Sequence, residues 1–259
     1  MLKQKGFAQI LFLIVTIVIV AAGAFLYTSY SQTSFQQTSD LKTNPYNSSE
    51  AKISSSAYLG VPCQSNPSPK FIHDFTDVNL IQKVTPPSLI ASKAQDRAFL
   101  WIDTVKIDKV PIYAPVDADL IRGVYKISKN IETIDYDLHF QVSCEVWFFI
   151  NHISAPTDKI KSLFPSQPAT ATNNLTSVSP PLHFKAGELI GYTTGTAQAH
   201  NFDFAVFDLN TKTKLVGELK SHDTRFNNFI CPFDVLPESL KSSYYQKLIP
   251  DLIPESNCK

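Results

Sequence analysis

Glu145-Val146-Trp147-Phe148-Phe149-Ile150 is six residues long, almost wholly β-branched or aromatic, and followed at once by Asn151 and His152. That length and composition suit a strand buried on both faces better than a helix, which needs a longer run to complete its turns. Comparable runs recur on both sides: Ala98–Ile102, Val110–Ala114, Leu120–Ile127, Tyr136–Val142 and Phe202–Phe207. With 17 prolines punctuating the chain, the body is expected to be mainly β. Helical periodicity is confined to 157–163 and to 237–249, where Leu240, Tyr244, Tyr245 and Leu248 share a face ahead of Pro250. The Pro/Ser/Thr/Asn/Ala-rich stretch 165–181 shows no period and is expected to be a surface loop.

Ahead of this body lies a different kind of sequence. Residues 1–6 carry Lys3 and Lys5, and residues 7–27 are uncharged. As a helix such a run crosses about 30 Å of hydrocarbon, so a single transmembrane anchor is expected, with the basic end cytoplasmic and the rest of the chain outside. A cleaved secretory signal is the competing expectation, since Ala21-Ala22-Gly23-Ala24 supplies small residues for a signal peptidase. From 28 to 56, 18 of 29 residues are Ser, Thr, Asn or Gln, which reads as a disordered tether to an extracytoplasmic domain at 57–259. Lys5-Gly6-Phe7-Ala8-Gln9-Ile10-Leu11 also resembles the start of type IV pilins, cut at a Gly-Phe bond; the glutamate that family carries is Leu11 here.

Acidic and basic residues balance at 23 each, with no basic block, so nothing points to nucleic acid. Walker loops, dinucleotide-binding glycine motifs and Gly-x-Ser-x-Gly elbows are all missing from the sequence. Cys63, Cys144, Cys231 and Cys258 make an even set without Cys-x-x-Cys spacing. In an oxidising compartment one or two disulfides are expected rather than a zinc cluster, and four cysteines permit three pairings.

Four segments taken in order resemble the M23 (LytM-type) peptidase domain, a fold of zinc endopeptidases that cut peptidoglycan cross-bridges. They are Val110–Ala118, Phe149–Ser154 with His152, Phe184–Gly191, and Thr194-Gly195 followed by Asn201-Phe202-Asp203-Phe204. The likeness covers about residues 95–208. It implies a β-sheet domain of the barrel-sandwich hybrid type with a few short helices.

It also implies where zinc would be held: by an H-x-x-x-D motif and the second histidine of H-x-H. Counting along this chain places Phe99 and Asp103 at the first motif, and Asn201 and Asp203 at the second. Two imidazoles are therefore gone, and no zinc or other cofactor is expected. A hard cation on Asp103 and Asp203 is the remaining metal option, since carboxylates suit magnesium, calcium or manganese. His200 neighbours the second motif but alternates with Asn201, which turns it to the opposite face of a strand. His152 matches the family's catalytic histidine and, without a metal-activated water, is expected to hydrogen-bond Asp103 or Asp203 in a relict groove.

Together these imply a membrane-anchored bacterial envelope protein with a catalytically inactive domain, binding peptidoglycan or envelope proteins. Inert members of the family act as scaffolds or activators of wall enzymes. A divergent metallopeptidase and a minor pilin-like subunit are the alternatives.

Overall fold

The computed structural model describes residues 61–90, 93–128, 133–169, 175–213, 228–254 and 256–258. The leader, anchor and tether expected before residue 57 lie outside these. Among the described residues no helix is long and apolar enough to cross a membrane.

The domain is mainly β, as its strand-like runs suggest. In chain order the strands are β1 (Ile81–Thr85), β2 (Leu89–Ile90), β3 (Lys93–Ala94), β4 (Ala98–Ile102), β5 (Val110–Tyr113), β6 (Ala118–Ser128) and β7 (Thr133–Gln141). There follow β8 (Val146–Ile153), β9 (Ala155–Pro156), β10 (Thr176–Phe184), β11 (Leu189–Thr193), β12 (Asn201–Asp208) and β13 (Phe229–Ile230). The α-helices are α1 (Asp158–Lys161) and α2 (Glu238–Tyr245). One eight-stranded sheet runs β1-β4-β12-β8-β7-β6-β10, with β13 added beside β12; β5-β11-β9 form a second sheet and β2-β3 a third.

The stretch 165–181 departs from expectation, because its second half is strand β10 paired antiparallel to β6. Proline is tolerated there for two reasons. The strand lies at the sheet edge, and its register shifts between Ser177 and Leu182, around Pro180 and Pro181, so the missing N–H groups interrupt no ladder.

Strand alternation gives the main sheet two buried faces. Val146, Phe148 and Ile150 of β8, with Phe202, Phe204 and Val206 of β12, belong to the main core. The intervening Trp147, Phe149, Ala205 and Phe207 are also buried, and Trp147 stacks on Phe207 at 3.8 Å between centroids. Polar residues continue that second face beyond the aromatic ones: Asn151 and Asp203 stand opposite one another, both buried.

Two disulfides use all four cysteines. Cys63–Cys144 spans 81 residues, and Cys231–Cys258 closes 27. The first ties the segment before β1 to the turn between β7 and β8. Glu145 reinforces it by accepting hydrogen bonds from Ser65 Oγ at 2.5 Å and from the Asn66 amide at 2.9 Å.

A candidate site on the second face of the sheet

The site begins with an irregularity in β8. Ile150 faces Leu138 of β7 and Ile153 faces Tyr136, so β8 advances three residues while β7 advances two. The extra residue makes a β-bulge, and His152 within it has φ 68°, left-handed backbone that is uncommon outside glycine although histidine enters it more readily than most. Strict alternation would turn His152 toward the core, as it does Ile150, and Ile153 away from it. The bulge puts it on the second face together with Asn151.

The kink is held from β11. Thr193 Oγ1 donates to the His152 carbonyl and accepts from the Gly195 amide at 2.9 Å. Gly195 itself has φ 68°, and a Cβ there would come within 2.4 Å of the His200 carbonyl carbon. The Thr-Gly pair therefore serves a packing need: it lets the β11–β12 turn close against the start of β12.

Around His152 the described side chains form a line of alternating charge that crosses the sheet. Asp96 Oδ1 lies 2.7 Å from Arg97 Nε, and Arg97 Nη1 lies 3.4 Å from Asp203 Oδ2. Asp203 Oδ2 is 3.6 Å from His152 Nε2, and His152 Nδ1 is 3.0 Å from Asp135 Oδ2. Lys126 Nζ lies 3.6 Å from Asp135 Oδ2 and bonds directly to Asp137 Oδ2. Four carboxylates thus alternate with three cations, and most of these groups are buried, where an unpaired charge would be costly.

The protonation states follow from this order. Burial alone would favour a neutral His152 ring, but the carboxylates of Asp135 and Asp203 on its two nitrogens outweigh it and raise its pKa to about 10. Asp135 feels burial in the opposite sense, yet its bond to His152 and the charge of Lys126 hold it below the ordinary carboxylate range. Asp137 is pushed up, first by burial and then by the charge of Asp135, in spite of Lys126.

The positions singled out from the sequence fall in three places. Asp203 and His152 meet in the line. Asn201 lies at the head of β12, where its side-chain oxygen accepts from Thr196 Oγ1 at 2.7 Å. Asp103 lies past the end of β4, and its carboxylate pairs with Lys106 at 2.9 Å. Antiparallel pairing puts Phe99 opposite Asp203, which carries Asp103 away from it. His200 is exposed, with φ 51°.

Sequence reasoning missed Lys126, Asp135, Asp137, Asp96 and Arg97. One signal was available: in Asp135-Tyr136-Asp137-Leu138-His139 the polar residues fall on every second position, which places them on one face of a strand.

Asp203→Ala should leave Arg97 and His152 facing one another across a buried gap and cost roughly 3–5 kcal/mol. Asp103→Ala removes a surface pair and should leave the unfolding midpoint unchanged. Thermal denaturation of both variants separates the two aspartates, and equal shifts would contradict their placement.

No protein-family model and no curated protein matches the chain. Among solved structures it is similar to lysostaphin, known from an NMR solution structure, at 14% identity and a TM-score of 0.38. The match covers 66% of this chain and 54% of that one, so the chain spans about half the length of lysostaphin. A likeness of this degree assigns no role to any residue.

Proposed function

We propose that this chain is a membrane-anchored bacterial envelope protein whose M23-like domain binds at the cell wall without catalysing hydrolysis. The observation that carries the reading is the charge line, because Asp203 is already committed to Arg97 and His152. Of the other positions the family uses for metal, Phe99 offers no donor atom, and Asp103 lies past the end of β4, paired with Lys106 and carried away from Asp203. This donor set does not fit a zinc ion, which needs at least three protein ligands converging on one point. A His152 that keeps its proton is also unable to act as a base toward water.

Support for the M23-like part comes from the four ordered sequence segments. Support for the envelope comes from the uncharged run at 7–27 and from a disulfide-bonded domain, which suits an oxidising compartment.

The test uses the full-length protein. Substoichiometric zinc by elemental analysis, cosedimentation with purified peptidoglycan, and no release of soluble fragments are the expected results. Stoichiometric zinc that is lost on Asp203→Ala, or cleavage of the wall polymer, would favour the divergent metallopeptidase instead. A mature chain beginning at Phe7 would favour the pilin-like subunit, for which Gly6-Phe7 is the supporting feature.

A further inference from the structure

Asp135, Asp137 and His152 each present a ligand-type atom within 4.8 Å of the other two. Metal–ligand bonds of about 2.0–2.4 Å, laid end to end, span about that distance, so one ion could touch all three. None of the three stands at a position assigned by the zinc-peptidase motif except His152, which that motif gives to catalysis and not to the metal. A cluster of acids alone would mean little, but this one has oxygens to spare. Asp135 and Asp137 are each more than nine-tenths buried, and the Oδ1 atom of each has no hydrogen-bond partner among the described residues. Buried carboxylate oxygens left unmatched are costly, and a cation is the partner that would satisfy them.

One cation is already there. Lys126 reaches across from β6, bonds Asp137 Oδ2 and lies 3.6 Å from Asp135 Oδ2, yet its ammonium leaves both Oδ1 atoms unused. An ammonium donates through three tetrahedral protons, whereas a metal ion collects lone pairs from all sides, so the fit is partial.

We propose that Asp135, Asp137 and His152 form a divalent-cation site that Lys126 keeps closed, making Lys126 the residue that decides between a built-in ammonium and a bound metal. Two carboxylates with one imidazole suit manganese as a probe; the ion takes the place of the proton that His152 Nδ1 otherwise shares with Asp135, so binding releases that proton. Removal of the ammonium deletes a like charge beside the site and exposes the second pair of carboxylate oxygens. The inference concerns metal alone, so wall binding can fail while this holds, and the reverse.

The experiment is a Mn²⁺ titration of the full-length chain, followed by electron paramagnetic resonance and by thermal melting. Lys126→Met is expected to bind at least about tenfold more tightly than wild type, from loss of the nearby positive charge. Mn²⁺ should also raise its melting temperature while leaving that of wild type in place. Adding Asp137→Asn to Lys126→Met should return binding to the wild-type level. If Lys126→Met does not fold, Lys126→Gln keeps an N–H for Asp137 and carries the same expectation. Binding no tighter than wild type in the folded Lys126 variant, or a gain that survives Asp137→Asn, overturns the proposal.

Discussion

Followed by NMR across a pH titration, the His152 ring should hold its proton through neutral pH and release it only near pH 10. The opposing effects are unequal: burial favours the neutral ring, but Asp135 on Nδ1 and Asp203 on Nε2 both favour the charged one and prevail. In the unfolded chain the same ring titrates near its ordinary value of about 6.5. Because the folded value is the higher, the folded state binds the proton more tightly. The stabilisation from this pairing is therefore full below about pH 6.5 and falls away as pH rises through about 10. With the ring only 24% exposed, solvent screening is moderate, and the total is of the order of 3–5 kcal/mol.

Replacing Asp203 by Asn keeps the shape and deletes one of the two charges. The titration midpoint should then drop by about 1–3 pH units, and the loss of stability between neutral pH and pH 10 should flatten. A ring that titrates near 6.5 in the intact protein, or a midpoint indifferent to Asp203→Asn, would remove the charge line from the account.

The second large effect belongs to the opposite face of the same strand. Phe204 is fully buried, stacked on Phe75 at 4.0 Å and set edge-on to Phe148 at 6.0 Å. Phe75 stacks in turn on Tyr244 of α2 at 5.1 Å, and Tyr244 on Phe233 at 4.7 Å. Phe204→Ala therefore opens a cavity where β12 meets the packing of the C-terminal helix and should cost about 3–5 kcal/mol in urea denaturation. Phe204→Leu fills most of the space and should cost clearly less, the remainder reflecting the lost ring contacts at about 0.5–1.5 kcal/mol each. A loss below about 1 kcal/mol for the alanine variant would mean that the stack contributes little.

How much of this was legible before folding depends on range. The six runs that suggested strands are strands, because each has to bury its own alternate residues and the pattern for doing so is local. Strand β10 was hidden by Pro180 and Pro181, whose exclusion from sheets is lifted only at an edge, and a strand's place at the edge is a property of the whole sheet. His152 and Asp203 could be singled out from their motifs, but their partners could not. Lys126, Asp135 and His152 lie on three successive strands, and which of their residues meet is set by register. The bulge at His152 changes that register by one, a shift that no spacing in the sequence announces. Asp103 shows the converse: counted along the chain it belongs beside the site, but in space the antiparallel turn-back of β12 puts Phe99 there.

The Cys63–Cys144 bond also determines where a mechanical load would enter. Tension on the chain ahead of residue 61 reaches a covalent link to the β7–β8 turn before it reaches β1. Loaded through β1, an outermost strand, the sheet could be unzipped one hydrogen bond after another. Loaded at that turn, the pull is shared by two interior strands, each paired on both sides, and the β1 margin of the sheet is bypassed.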